Sequence, residues 1–358
     1  MKVAIIARST LYSVPGGDTV QAVQTAKFLA ISGIDVDVRL SNEEIIYKEY
    51  DLLHFFNITR PADMLYHYQK AQKPFVVSTI LIDYSEYDKY YRQGIGRIFS
   101  FFTADSIEYL KTVARWVLGK DHLSGISYLW KGQRRSIVEI LRKAAMILPN
   151  SSSEYKRIIK NYYYKPAYAV IPNCVNPALF RYDGCIEKDG RLVLCAARIE
   201  GIKNQLNLIR ALNNTHFNLV LIGSPSQNQN AYYQACRREA ARNISFINHI
   251  PQNELVHFYQ HAKVHVLPSW FETTGLSSIE AAVMGCNIVI TDKGDAREYF
   301  GNDAFYCDPS KPSSILAAVE KASSAPLNKK LRQKILEKYT WEHAAAETQK
   351  AYQSAILV

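Results

Sequence analysis

Two carboxylates, Glu272 and Glu280, stand eight positions apart in the stretch PSWFETTGLSSIEAAVMGCNIVIT, residues 268–291. Between them lie the uncharged Thr273, Thr274, Gly275, Ser277 and Ser278. The stretch reads as a strand end, a loop, a helix, Gly285 and a second strand. A helix that starts around Thr274–Ser277 offers free backbone amides to phosphate oxygens, and Gly275 permits close approach. Glu280, near the second turn, would set a carboxylate beside that anion, where ribose hydroxyls can donate to it. Glu272, in the loop before the helix, would reach the other side of a diphosphate. The simpler alternative is that Ser277 or Ser278 caps the helix and the glutamates are solvated. The apolar flanks of Glu280, LSSI and AAVMG, argue against a routine surface acid.

Arg198 follows a strand-like run, and Lys203 stands five residues on in ARIEGIKN, at the expected start of a helix. Two cations there suit a diphosphate. A lysine at a helix start opposes the helix dipole, which favours a functional reason for it. A solvated Arg and Lys is the competing reading, and these residues alone leave the two even. Gly16 and Gly17 follow the first strand in VPGGDT, where backbone amides can meet a ligand and a helix opening at Asp18 adds its own. The order is not GxGxxG, so the dinucleotide fingerprint is absent, and a tight loop is the simpler reading. His257, His261 and His265 fall four apart, but the last lies in strand-like VHVLP. The helical register fails, and no metal site is expected.

These residues need elements to hold them. The 358 residues suffice for two domains, and 48% hydrophobic with 21% charged residues allow ordinary cores. In the first half, strand-like runs at 3–7, 35–40, 52–56, 75–79, 146–150 and 167–173 alternate with helical patterns over 18–32, 61–70 and most of 88–145. The alternation then restarts. Strands are expected at 191–198, 218–223, 244–248, 264–268 and 287–291, with helices over 203–212, 229–241, 252–261 and after Gly275. Buried strands alternating with helices imply parallel sheets covered on both faces. The polar, turn-rich stretch 173–190 divides them. The expected fold class is α/β, with two doubly wound Rossmann-like domains facing each other across a cleft; ligands in such folds bind beyond the carboxyl ends of the strands.

The opening MKVAIIARST has too short an apolar run for a signal peptide and reads as a buried first strand. No stretch approaches the roughly 18 apolar residues of a spanning helix. The six cysteines (Cys174, Cys185, Cys195, Cys236, Cys286, Cys307) lie far apart without a CxxC pair, the pattern of buried, reduced thiols in a cytoplasmic protein.

Residues 268–291 resemble the signature of retaining glycosyltransferases of the GT-B fold, family 4 type (glycosyl transferases group 1). Its mark is two glutamates separated by seven residues, in a Ser-x-x-Glu-x-x-Gly-Leu pattern that continues to Glu-Ala-x-x-x-Gly. Other segments match in order. Gly16-Gly17 resembles the N-terminal glycine loop, VIPNCVNPALF (with Asn173) the interdomain PNGVD segment, and AARIEGIKN the phosphate-binding segment. LVLIG resembles the following strand, FINHIPQNEL (with Ile250) the base-contacting loop, and YTWEHAAAETQKAY the C-terminal helix that returns to the first domain. The match is good over 173–356 and loose over 1–172.

The resemblance implies an acceptor-side domain of residues 1–172 plus a returning helix at 341–358, and a nucleotide-sugar domain of 173–340. Arg198 and Lys203 would hold the diphosphate and stabilise its charge as it leaves. Glu272 would touch the donor sugar near its reacting centre, completing the catalytic set. Glu280 would bind the ribose. The amides around Thr274, Gly275 and Leu276, with Gly16, Gly17, Asn173 and Ile250, would complete the donor site. Two cations make a metal dispensable, so no cofactor is expected beyond a nucleoside diphosphate-sugar substrate of the UDP or GDP type. The acceptor would be a hydroxyl of a glycan or lipid-linked saccharide, in cell-surface polysaccharide biosynthesis. There are departures. Many family members carry a His after the fourth strand, and FVVSTILIDYSEYD has none. Cys174 replaces the glycine of PNGVD, and Thr274 the phenylalanine of EGFG. They keep two alternatives open: a nucleotide-sugar binding protein without turnover, or a GT-B sugar-nucleotide epimerase.

The net charge of +10 is concentrated. Between Lys89 and Lys143, eleven basic residues stand against four acids, interleaved with Tyr90, Tyr91, Phe99, Phe101, Phe102, Trp116 and Trp130. An anionic partner is implied there. No RNP, helix-turn-helix or zinc pattern accompanies them, so nucleic acid is not expected. A basic, aromatic face suits the surface of an anionic bilayer, and a solvated acceptor-site helix pair is the competing reading. The expected location is the cytoplasm, peripherally at the inner membrane face.

Overall fold

The computed structural model describes residues 1–88, 103–119, 125, 127–226 and 228–357. The chain divides into two compact units. One comprises Met1–Leu81, Gly94–Asn173 and Trp341–Val358; the other comprises Ile82–Gln93 and Cys174–Thr340.

The first unit is built on five parallel strands: β1 (Lys2–Ala7), β2 (Asp35–Leu40), β3 (Leu52–Phe56), β4 (Phe75–Ser78) and β5 (Met146–Leu148). Their order in the sheet is β2-β1-β3-β4-β5. β3 and β4 are buried along their whole length, which explains their unbroken apolar runs. The helices are α1 (Gly17–Ile31), α2 (Pro61–Ala71), α3 (Ala104–Val117), α4 (Ser127–Lys143) and α5 (Ser152–Tyr162). Two expectations change here. Gly16, not Asp18, opens α1 as its N-cap; Asp18 stands in the first turn, paired with Arg8 at 2.7 Å. Residues 167–173 form no strand; Tyr168 makes one isolated bridge to Ile147. The described residues of 88–145 are mostly helical, as expected, in the separate helices α3 and α4, the latter interrupted at Gly132. Part of that segment lies outside the described residues.

The second unit has six parallel strands: β6 (Asp189–Ala196), β7 (Asn218–Ile222), β8 (Ile244–Ile247), β9 (Ala262–Leu267), β10 (Asn287–Thr291) and β11 (Phe305–Cys307). Their order is β11-β10-β9-β6-β7-β8. The helices are α6 (Gln205–Leu212), α7 (Asn230–Glu239), α8 (Gln252–His261), α9 (Leu276–Val283), α10 (Ala296–Phe300), α11 (Pro312–Ser324) and α12 (Lys329–Lys338). One continuous core runs from Val193 and Leu194 through Val264, Val266, Ile279 and Ile288 to Val319 and Ile335. Helix α13 (Trp341–Ile356) belongs to the first unit, where it packs on α1 and β4. Its buried Tyr352 hydroxyl meets Nδ1 of His54 at 2.6 Å, and Nε2 of His54 meets the Ser78 hydroxyl at 2.9 Å. Burial pushes His54 down to about 3, so it is a neutral link between helix and sheet.

Candidate functional site

In the second unit the chain leaves β6 outward through β7 and β8, then returns to lay β9 on the other side of β6. The switch point of the sheet therefore lies between β6 and β9. Ligands of open parallel sheets bind beyond the carboxyl ends at such a point, where neighbouring loops diverge. Arg198 and Lys203 follow β6, and Ser269 and Glu272 follow β9, so the topology places all four at the switch point.

Lys203 and Glu272 are brought into contact, Nζ to Oε2 at 2.8 Å. The Ser269 hydroxyl donates to the same Oε2 at 3.0 Å. Glu272 is buried, so this pair has lost much of its hydration and depends on correct geometry. The backbone supplies that geometry. Residues 201–203 make a single short turn, and Asn204 takes a left-handed conformation (φ 60°) before α6 begins. Its side-chain amide donates to the carbonyls of Pro268 at 3.0 Å and Pro309 at 2.7 Å, tying the Lys203 loop to the end of β9. Lys203 thus ends a turn and does not begin a helix, so the dipole argument for its function does not apply as expected. The backbone of Glu272 bridges to Gly294: its N–H donates to Lys293, and its carbonyl accepts from Asp295 at 2.9 Å. Gly294 has φ +96°, and a Cβ there would stand 2.2 Å from the Glu272 carbonyl oxygen. Asn204 and Gly294 were not legible as site residues, because each acts through a partner remote in sequence; Ser269 is the serine of the Ser-x-x-Glu pattern and acts on Glu272 three positions on.

Arg198 is more exposed than the pair and reaches Glu200 at 3.2 Å, while the Ser226 hydroxyl holds the other Glu200 oxygen at 2.8 Å. The segment of the second unit that follows β4 also reaches this region. The Tyr87 hydroxyl lies against Gly201, and Glu86 pairs with Lys293.

Glu280 sits in the second turn of α9, buried, with Oε1 accepting from Gln252 at 2.8 Å and Oε2 from the Tyr259 hydroxyl at 3.2 Å. Burial pushes it up to about 7, against the opposing pull of those two donors. Both donors belong to α8, whose C-terminal end is pinned by the buried Lys188. That ammonium donates to the carbonyls of Tyr259 at 2.7 Å and Ala262 at 3.1 Å. Gly275 caps α9 in a left-handed conformation with no side chain. Neither Ser277 nor Ser278 takes that place; the buried Ser278 hydroxyl faces His265 Nδ1 at 3.3 Å. Thr274 is buried, Leu276 opens α9, and Ile250 packs partly buried against the core.

Gly16, Gly17 and Asn173 belong to the first unit. There the switch point lies between β1 and β3; Gly16 ends the loop after β1 and Gly17 opens α1. Arg8 clamps that loop: its guanidinium takes both Asp18 oxygens and the carbonyls of Thr10 and Val14. The Gly16 N–H donates to the Thr19 hydroxyl at 3.0 Å. After β4, in place of a histidine, the buried Glu154 accepts from the Thr79 hydroxyl and from the N–H of Leu81 and Asn150. Between them Ile80 is held at φ +46°, a costly conformation for a β-branched residue. Five cysteines are buried free thiols, and Cys185 is exposed, contrary to expectation. His257 and His261 share α8, whereas His265 is buried in β9, which follows α8 without a break. Among the described residues no three His, Cys, Asp or Glu side chains group to hold a metal.

Two parallel-sheet Rossmann-like units in one chain, the second with cations at its switch point, define the GT-B class of fold. Solved structures share it. A sucrose-phosphate synthase from Thermosynechococcus elongatus superposes with a TM-score of 0.77 at 15% identity, over 100% of both chains. Anabaena Alr3699/HepE in complex with UDP and glucose gives 0.74 at 15% identity, over 99% of this chain and 100% of that one. Residues 181–339 match the family model Glycosyl transferases group 1, so the second unit carries a domain of that family. The glycogen synthase of Mycobacterium tuberculosis is 26% identical over 175 residues, 46% of this chain and 42% of the relative. The chain spans less than half the length of the curated relatives it matches.

Proposed function

We propose that the protein is a metal-independent, retaining glycosyltransferase that moves a sugar from a nucleoside diphosphate-sugar, of the UDP or GDP type, to a hydroxyl of a glycan or lipid-linked saccharide in cell-surface polysaccharide biosynthesis. The observation that carries this reading is the Lys203–Glu272 pair at the β6/β9 switch point, inside a glycosyl transferases group 1 domain. HepE, whose structure holds UDP and glucose, shares the fold and supports the donor class.

In this reading Lys203 and Arg198 face the donor diphosphate. The bond from the sugar's anomeric carbon to the diphosphate oxygen breaks, and its electron pair stays on that oxygen, where the two cations stabilise it. The acceptor hydroxyl oxygen bonds the anomeric carbon, and its proton is released to the departing diphosphate. Glu272, positioned by Ser269 and the Gly294 bridge, accepts hydrogen bonds from the donor sugar. Glu280 accepts from the ribose hydroxyls, with Gln252 and Tyr259 fixing its rotamer. Thr274, Gly275, Leu276 and Ile250 line the donor.

The test is a thermal-shift panel of UDP-, GDP-, ADP- and TDP-sugars followed by transfer assays, because a ligand raises stability by RT ln(1 + [L]/Kd). One donor is expected to raise Tm and to be consumed. Wild-type rates in both Lys203→Ala and Glu272→Ala would sink the assignment. A second reading, binding without turnover, is favoured by the loop after β4, where Glu154 is committed to Thr79, Leu81 and Asn150 and no histidine stands in as a base. It predicts donor binding by calorimetry with no product for any acceptor.

A further inference from the structure

Helices α3 and α4 form an antiparallel hairpin whose register is set by two contacts. Arg134 meets Asp105 at 3.3 Å, and the Tyr109 hydroxyl donates to the Leu129 carbonyl at 2.9 Å. Beyond the Tyr109 contact α3 runs on to Trp116 and Val117, with Leu118 at its C-cap, while Trp130, in the first turn of α4, directly follows the contact residue Leu129. The apolar residues at this end face water: Trp130 is 82% exposed, Val117 70% and Leu118 66%, with Trp116 and Leu110 also exposed. In all its length α3 buries Ile107 alone. A water-soluble helix normally turns its apolar stripe inward, and contiguous exposed apolar surface marks an interaction site.

Charge decides what that partner is. The described parts of the hairpin, 103–119 and 127–143, carry seven cations (Lys111, Arg115, Lys131, Arg134, Arg135, Arg142, Lys143) against three acids. Each acid is matched by one cation, Glu108 by Lys111, Glu139 by Lys131 and Asp105 by Arg134. The surplus is positive: Arg115 adjoins exposed Trp116 and Arg135 stands five positions after exposed Trp130, whereas Arg142 and Lys143 are in the last turn of α4. Tryptophan prefers the depth of lipid headgroups, where its ring is in acyl chains and its N–H in water, and basic residues around it are drawn to anionic lipid. Among the described residues no helix is long and apolar enough to cross a membrane. We propose that the Trp116–Leu118 and Trp130 end of the hairpin seats on the surface of an anionic bilayer, with the two indoles in the headgroup layer and the cations over lipid phosphate. This goes beyond the sugar-transfer reading and stands without it.

The chain has four tryptophans, and Trp270 and Trp341 are buried. A change in intrinsic emission on adding vesicles therefore reports Trp116 and Trp130. The full chain is mixed with vesicles of phosphatidylcholine alone and of phosphatidylcholine with phosphatidylglycerol, and both sedimentation and emission are read. The expected result is co-sedimentation and a blue shift with the anionic vesicles, weakened by salt. In the double variant Trp116→Ser, Trp130→Ser the partition falls by about tenfold or more, with Tm unchanged because both residues are exposed. Neutralising Arg115 and Arg135 to Gln lowers binding to anionic vesicles while the residual binding to phosphatidylcholine stays the same. Equal sedimentation of wild type and double variant, or no blue shift, overturns the proposal. So does a vesicle-independent dimer in sedimentation velocity that the double variant dissociates, because the face would then belong to a second copy. Failure of sugar transfer leaves this assay unaffected.

Discussion

At the scale of single residues, the buried carboxylate of Glu272 depends on Lys203 at 2.8 Å. Lys203→Ala leaves that charge with Ser269 alone, and because the lysine is partly exposed the stability cost is about 1–3 kcal/mol, below that of a fully buried pair. Turnover in the proposed reaction is expected to fall by roughly 10²–10³, the scale of removing one preorganised charge-stabilising donor. Thermal melts and single-turnover assays read the two effects separately, and a variant with wild-type Tm and rate would show that the pair is neither structural nor functional. Glu280 makes a pH prediction. Its folded-state pKa is raised from 4.5 to about 7 by burial. The stability it contributes is fully present below the unfolded value and is lost as pH rises through about 7, where the burial penalty reaches about 3 kcal/mol. Wild type should therefore lose stability relative to Glu280→Gln over that window in paired melts. If the ionised carboxylate receives the ribose hydroxyls, donor binding should strengthen over the same window. The two glutamates were legible in the sequence, since their spacing and flanks suggested a ligand site. That Glu280 is clasped by Gln252 and Tyr259, 28 and 21 positions away, was not legible.

At the scale of elements, the loops after the strands decide where the chemistry sits. Gly294→Ala should cost several times more than Gly33→Ala, though both residues have positive φ, +96° and +85°. At Gly33 nothing lies within 4 Å of an added Cβ, so the cost is about 1 kcal/mol of backbone strain. At Gly294 the Cβ collides with the Glu272 carbonyl, so the bridge must shift and carry Glu272 with it. Denaturant melts should separate the two variants, and only Gly294→Ala should also lose turnover. Helix α8 acts in the same manner on Glu280. Lys188→Met leaves the carbonyls of Tyr259 and Ala262 with the weaker Cys286 thiol in place of the lysine, a cost of about 1–3 kcal/mol. Helix existence was largely legible from apolar periodicity and strand type from unbroken apolar runs. Boundaries were less so: the left-handed Asn204 is fixed by the carbonyls of Pro268 and Pro309, which no local pattern announces. Residues 167–173 look like a strand in isolation, yet β5 is only three residues long and offers them a single bridge.

At the scale of the whole molecule, helix α13 completes the first unit, although it lies at the opposite end of the sequence. It buries Trp341, Ala344, Ala345, Thr348, Ala351, Tyr352 and Ala355. Truncation after Thr340 should expose the facing surface of α1 and β4 and accelerate amide exchange in both, whereas unchanged protection there would show that the helix is dispensable. Tyr352→Phe should cost about 1–3 kcal/mol, because His54 Nδ1 then loses its partner at a fully buried site. By itself the sequence determined the alternation of buried strands and helices, the restart after residue 173 and the residue types able to bind a diphosphate, because these depend on local periodicity and chemistry. Only the tertiary structure decided that β9 lies beside β6, that Lys203 closes on Glu272 across 69 positions, and that the end of α3 is left bare to solvent. Strand order, long-range ion pairing and exposure arise from which surfaces are buried together, and no local stretch of chain carries that information.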